Sequence, residues 1–443
     1  MPMKDGIYAS LDIGTTSIKM IISEVLNGQL SVIGVGNERS QGVSRGVIVD
    51  IEKASAAIEK VVAQASERSG ATIHHVIVGI PAYQVGIHHC AGSHNVLAEN
   101  QEISEHDVRA VIERAVSNAA IDQQEIISVE PKEFIVDGFD EIPDPRGMIG
   151  KRLEVNGTLY TVSRSVLHNI RKAVLGAHLE VEAFVLLPQA MSASTLSADE
   201  RMFGTILLDM GGGQTTVSVM HNNQLKYTSM IPEGGQYITQ DISIVLNASL
   251  KNAERLKREV GHAYYELANP DHTVSVDIVG KKEPAVIKES YIAEIIEARL
   301  VQILEQVRDK LETIDALQLP GGIVISGGVA TLPGIEQLAE SIFNVPVRLY
   351  VPDQMGVRYP TFTHAISLTS YQANLSDIER VIQSEVAEII GLESSYQEVS
   401  HSSEVTTKMP QPQEVEVEDA QAANEEKESS RLKFKKFFLD FFS

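Results

Sequence analysis

The spacing of apolar and polar residues switches repeatedly between two patterns up to about residue 390. Short continuous runs of β-favouring residues predict strands at Ile7–Leu11, Val76–Ile80, Ile206–Leu208 and Ile323–Ile325. Between them, apolar residues recur with helical spacing and predict helices at Ser55–Ala65, Glu105–Val116, Ala253–Val260 and Tyr291–Leu311. Strands alternating with helices over this length predict a mixed α/β fold with more than one core.

After about Leu392 the pattern stops. Residues 393–428 hold ten acidic side chains against Lys408 and Lys427, with Ser, Gln and Pro filling much of the rest. So little apolar surface does not offset the entropy of ordering, and the segment reads as a disordered linker spanning roughly 30–35 Å.

Apolar periodicity then returns in RLKFKKFFLDFFS, residues 431–443. On a helix, Phe434, Phe437, Phe438 and Phe441 share an arc of about 100°, widened by Leu432 and Phe442. Lys433 and Lys436 lie opposite, while Arg431 and Lys435 must snorkel. The segment is too short to span a bilayer and suits an in-plane helix on anionic lipid, with docking on the protein's own core or on a partner as the alternative.

Composition narrows the setting. The formal charge of −23 argues against a general nucleic-acid binder, though not against a local basic patch, and the tail is one. A single cysteine, Cys90, rules out an internal disulfide and fits a reducing cytosolic compartment. No signal peptide or membrane-spanning run is expected. The pairs His74-His75 and His88-His89 place adjacent side chains on opposite strand faces, and no CxxC or HExxH spacing supports a zinc site.

One short repeat carries chemistry. SLDIGTTS at residues 10–17 recurs as LLDMGGGQTT at 207–216, each between two β-rich runs, so each predicts a hairpin. Gly14, Gly211, Gly212 and Gly213 would let backbone N–H groups approach phosphate oxygens. Thr15, Thr16, Thr215 and Thr216 add hydroxyls, and Asp12 and Asp209 would hold Mg²⁺ through its waters. Two such hairpins facing each other would clamp a nucleotide. The alternative, a plain Gly-rich turn, weakens when two copies match. A third segment, GGIVISGGVATLPG at 321–334, brings Gly327 and Gly328 to a helix start. Neither P-loop nor Rossmann spacing is present.

These loops resemble the actin, Hsp70 and sugar-kinase superfamily, two α/β halves around a cleft. SQGVSRGVIVD (40–50), PRGMIGKRLE (145–154), PEGGQYITQD (232–241) and AERLK (253–257) narrow the resemblance to the FtsA family of actin-like division proteins. It implies subdomain 1A at 1–82 and 162–203, an inserted subdomain 1C at 83–161, subdomain 2A at 204–240 and 321–391 with a closing helix, and subdomain 2B at 241–320. The linker at 392–428 and a membrane-targeting helix at 429–443 follow. It further implies an ATP and Mg²⁺ site. Asp12, Gly14, Thr15, Thr16 and Ser17 form the first phosphate loop and Asp209, Gly211, Gly212, Gly213, Gln214 and Thr215 the second. Gly234 and Gly235 flank the nucleotide, Glu254 and Lys257 lie beside ribose and adenine, and Gly327, Gly328 and Val329 belong to the adenosine loop. Glu254 and Lys257 also read as a solvated helix pair.

The resemblance further implies polymerisation at the cytoplasmic face of the cell membrane at the septum, recruitment of division proteins through the insert, and binding of the acidic FtsZ C-terminal peptide by subdomain 2B. Arg299, and more weakly Arg308, are the expected contacts; surface ion pairs with neighbouring glutamates are the competing reading. The chain departs from the family pattern in having Ser17 where a lysine is common, with Lys19 nearby, and in lacking an acidic group after GGG. Gln189 is a candidate water-positioning residue. ATP binding with at most weak hydrolysis is therefore expected. A sugar kinase or polyphosphatase, a chaperone and a pilus-assembly protein are alternatives of the same fold, none of which calls for the aromatic tail.

Overall fold

The computed structural model describes residues 3–119, 121 and 124–392, so the linker from 393 on and the segment 431–443 lie outside the described residues. The first half opens with β1 (Gly6–Ile13), β2 (Ser17–Leu26) and β3 (Gln29–Arg39), an antiparallel meander. A two-residue hairpin follows, β4 (Val43–Ser44) and β5 (Val47–Ile48), turning on Arg45 and Gly46 with φ of 49° and 73°. Both central residues are left-handed, as the tight turns that match strand twist require. Helix α1 (Ile51–Ser69) exceeds its predicted Ser55–Ala65 core because Asp50 caps the Lys53 N–H and left-handed Gly70 closes the other end. Strand β6 (His75–Ile80) then runs parallel to β1.

The insert comprises β7 (Gly86–Asn95), α2 (Glu105–Asn118), β8 (Gln124–Val136), β9 (Phe139–Ile142) and β10 (Arg152–Ser163). Its antiparallel sheet, in the order β7-β10-β8-β9, has a core of its own under α2. The first half resumes with α3 (Arg164–Gly176), β11 (Glu180–Leu186) and α4 (Leu187–Thr195).

The second half repeats the plan. After α5 (Ala198–Phe203) come β12 (Thr205–Met210), β13 (Thr215–His221) and β14 (Gln224–Ile231), again an antiparallel meander. Helices α6 (Gly235–Leu246) and α7 (Leu250–Val260), the hairpin β15 (Thr273–Val276) with β16 (Ala285–Lys288), and α8 (Glu289–Glu312) follow. In α8, Ile292, Ile296, Leu300, Leu304, Val307 and Leu311 make one buried seam, the 3.6-residue period read directly. Strand β17 (Ile323–Ser326), α9 (Ile335–Phe343) and β18 (Val347–Leu349) complete the sheet, and α10 (Thr363–Asn374) and α11 (Asp377–Ile389) close the fold.

The two large sheets have matching strand orders, β3-β2-β1-β6-β11 and β14-β13-β12-β17-β18, with the same mix of antiparallel and parallel pairs. The sequence repeat is thus a structural duplication. Strand β12 is buried along its whole length, which explains why it reads as a continuous apolar run rather than an alternation. Within the range 321–391 grouped above with the second half, α10 and α11 pack elsewhere. Helix α10 sets Leu368 and Ala373 against the first half, and α11 sets Ile378, Val381, Ile382 and Val386 against the insert. Their apolar faces find partners there because the second sheet is already covered by α6, α8 and α9. Among the described residues, no helix is long and apolar enough to cross a membrane.

Candidate functional site

The two repeated hairpins meet across the cleft. Strands β1 and β2 pair Asp12 with Lys19 and leave Gly14, Thr15 and Thr16 in the turn, while β12 and β13 pair Asp209 with Thr216 and leave Gly211–Gln214 in theirs. A β-carbon on Gly212 would lie 2.2 Å from Thr16 Cγ2, and one on Gly213 would lie 2.4 Å from Thr15 Cγ2. The glycines anticipated as openings for phosphate therefore also admit the opposite threonines. Gly14 is constrained by the Ser17 carbonyl, and Ser17 begins β2.

The α6 start is fastened to the second loop. Gly235 and Gln236 donate to the carbonyls of Gly211 and Gly212 at 3.0 and 2.7 Å, and Gly234 sits too close to the Gly211 carbonyl for any side chain. Thr215 Oγ1 donates to the Glu233 carbonyl at 2.9 Å. Lys257 Nζ donates to the Gly235 carbonyl (2.9 Å) and Thr239 Oγ1 (2.8 Å) and pairs with Glu254 at 2.7 Å. Burial disfavours the Lys257 charge and lowers its pKa despite that partner. Burial also opposes ionisation of Glu254, but Lys257 and the surrounding donors prevail and lower it. Lys257 is thus largely buried against the start of α6, while Glu254 stays part-exposed and also pairs with Arg258 one turn on. Val329 lies 3.3 Å from a β-carbon on Gly235, and Gly328 has room around it. Gly327, with φ 95°, lies against Asp209, where a side chain would clash with Oδ1 at 2.6 Å.

His364, at the start of α10, joins the two aspartates. It donates from Nδ1 to Asp12 Oδ1 at 3.2 Å and from Nε2 to Asp209 Oδ2 at 2.9 Å. Burial works against the imidazolium, but the two carboxylates outweigh it and raise its pKa to about 10. Burial likewise opposes ionisation of Asp12, and His364 and Lys19 override it, pulling the carboxyl down to about 2. Lys19 completes the cluster 3.5 Å from Asp12 Oδ2. The helix carrying His364 is itself pinned, since Ser326 Oγ donates to Thr363 Oγ1 at 2.8 Å and Ser10 Oγ to the Ala365 carbonyl at 2.7 Å.

Asp12 and Asp209 carry the hard oxygen donors that a hydrated Mg²⁺ takes, and here both are paired with the cationic His364 ring, Asp12 also with Lys19. Beside them, Asp209, Gln214, Thr216, Ser218 and His364 line a pocket of about 20 Å³, with room for a single water, and the buried Gln214 Oε1 has no hydrogen-bond partner. Gln189 does not line it; its neighbour Pro188 does, and Gln189 is buried on α4. Among the described residues no three His, Cys, Asp or Glu side chains form a metal-holding group, and His75 and His88 bond Glu180 and Thr161 instead.

Three contributors escaped the sequence reading. His364 lies 155 residues from Asp209 in an unremarkable THAISL, and no local pattern marks it. The β4–β5 turn reaches across the cleft: Gly46 N–H donates to Thr15 Oγ1 at 2.8 Å and packs on Gln214, while Arg45 Nη2 donates to the Tyr237 hydroxyl at 3.3 Å. Glu233 ties this region to Arg299, whose guanidinium also chelates Asp241 and lies 5.7 Å from the Tyr237 ring centre. Arg308 is separate, in long pairs with Glu305, Asp309 and Glu312 on α8.

Comparison with known proteins supplies context for this geometry. A family model described as "Cell division protein FtsA" matches residues 206–367, and one described as "SHS2 domain inserted in FTSA" matches residues 84–161. The chain is 48% identical to the cell division protein FtsA of Enterococcus hirae over 85% of each chain, and 43% identical to that of Enterococcus faecalis over 99% of each. The Bacillus subtilis relative is 41% identical over 84% of this chain and 85% of its own. Among solved structures, a PilM-PilN type IV pilus biogenesis complex matches with TM-score 0.58 and 15% identity, covering 83% of this chain and 99% of that one. ADP-bound MreB5 of Spiroplasma citri matches with TM-score 0.52 and 14% identity, covering 87% and 98%. Both share the fold.

Proposed function

The chain belongs to the FtsA family of cell-division proteins, and from that premise we propose that it is an ATP-binding, actin-like protein that polymerises on the membrane and holds the FtsZ ring there. The observation that carries the nucleotide part is the meeting of two duplicated Gly/Thr hairpins over a pair of aspartates bridged by one cation. In this reading the polyphosphate lies along the two loops, taking backbone N–H groups of Gly14, Gly212 and Gly213 and the hydroxyls of Thr15 and Thr16, while Thr215 holds the second loop through its bond to the Glu233 carbonyl. Bound Mg²⁺ would neutralise phosphate charge. Asp12 and Asp209 would hold it through waters. Glu254 and Lys257 serve ribose and base, and Gly235, Gly328 and Val329 leave space for the nucleoside.

The remaining parts rest on the sequence and the family. The acidic FtsZ tail would meet Arg299, with Arg308 farther along α8. The residues Arg431 to Phe442 would form the foot on anionic lipid at the septum, weak alone and strengthened by polymer avidity. The test is co-sedimentation of FtsZ with anionic liposomes by the full chain and by a chain ending at Glu428, each with Mg–ATP. The full chain should carry FtsZ to lipid and the truncated one should not. Equal recruitment by both would sink the tether.

A further inference from the structure

Arg299 is not a free surface cation. Asp241, one turn and a half into α6, takes its Nε and Nη2 at 2.6 and 3.0 Å, and Glu233 takes Nη1 at 3.0 Å. All three side chains are only partly exposed, Arg299 and Glu233 at 20% and Asp241 at 26%. Planar two-point recognition of a carboxylate is what an arginine offers an acidic peptide, and Asp241 already occupies that fork.

The two carboxylates are not scattered. Glu233 is the residue whose carbonyl receives the Thr215 hydroxyl of the second phosphate loop, and it precedes Gly235 and Gln236, whose N–H groups bond that loop. Asp241 lies on the same helix, α6, that these bonds anchor. The far side of the cleft reaches the same spot, because Arg45 holds the hydroxyl of Tyr237, over which Arg299 sits. A shift of the second phosphate loop therefore moves the groups that hold Arg299.

We propose that Glu233 and Asp241 are an internal stand-in for the acidic partner, capping Arg299, so that peptide capture requires their displacement and is linked to the position of the phosphate loop. This rests on the reading that Arg299 receives the acidic FtsZ tail. By reciprocity, whatever factor nucleotide applies to peptide affinity, peptide applies to nucleotide affinity. A purely positioning role for the two acids predicts the opposite sign, since loss of either would then weaken binding.

The experiment measures binding of a fluorescent synthetic FtsZ C-terminal peptide to the full chain by anisotropy, with and without Mg–ATP. It compares the parent with Glu233→Gln, Asp241→Asn and Arg299→Ala. Glu233→Gln keeps the main-chain bond to Thr215 and removes only the charge, and Asp241→Asn provides an independent second test. Each acid variant should bind the peptide about three- to tenfold more tightly than the parent. Mg–ATP should change the parent's affinity at least about twofold, and this change should vanish in Glu233→Gln. Unchanged or weaker binding by both acid variants overturns the cap, and a parent indifferent to Mg–ATP overturns the link. Failure of the parent to bind, or undiminished binding by Arg299→Ala, would instead overturn the partner reading beneath it.

Discussion

Replacing His364 by alanine leaves the carboxylates of Asp12 and Asp209, 3% and 6% exposed, facing each other without the ring between them. Asp12 keeps Lys19 at 3.5 Å, whereas Asp209 loses its cationic partner. Removing one member of a buried ion pair costs about 3–5 kcal/mol. With an unfolding entropy of about 2.1 cal/mol/K per residue, a body of this size should lose about 4–6 °C in melting temperature. The pH dependence has a definite sign. His364 is raised from 6.5 to about 10, so its contribution is whole below pH 6.5 and is lost as pH climbs toward 10. Asp12 is lowered from 3.8 to about 2, so its contribution is whole above pH 3.8 and is lost as pH falls toward 2. Differential scanning fluorimetry of parent and His364→Ala should therefore show the widest gap between about pH 4 and 6.5, narrowing toward pH 9. Asp12→Asn should also cost less in the His364→Ala background than in the parent, as expected for a coupled pair. A gap below about 1 °C at pH 6, or one that grows toward pH 9, would refute the bridging role.

Gly212→Ala drives its new methyl into Thr16, and should cost about 1–3 kcal/mol and weaken binding of a fluorescent ATP analogue. Thr16→Ala should recover most of the melting temperature in the double variant, and a failure to recover would place the strain elsewhere. Burial pushes Glu130 up to about 7, and neighbouring Glu379 adds to the rise against the hydrogen bond from Tyr160 and the charge of Lys226. A carboxyl raised in the folded state loses stability as pH climbs from 4.5 to about 7. Glu130→Gln should therefore be more stable than the parent at pH 8, by on the order of 3 kcal/mol, and show no advantage near pH 4.5. Equal melting at pH 8 would argue against it. Removing the residues after Glu428 should abolish flotation with anionic liposomes while leaving nucleotide affinity unchanged, since the cleft is built wholly from residues before 365.

Much of this protein was legible along the chain. The duplicated hairpins could be read from SLDIGTTS and LLDMGGGQTT because strand and turn formation are local properties, set by backbone conformation and by neighbours a few residues away. Helix α8 was legible because one buried seam repeats every 3.6 residues. What the chain could not show is which distant groups those loops would face. His364 meets Asp12 352 positions away, Glu233 and Asp241 claim Arg299, and Gly46 reaches Thr15, all through pairings that only the packing of two sheets and the return of α10 bring within hydrogen-bond distance. Electrostatics followed the same division. The sequence marked which residues can carry charge, and burial together with the tertiary neighbours decided which charges are held, and by what.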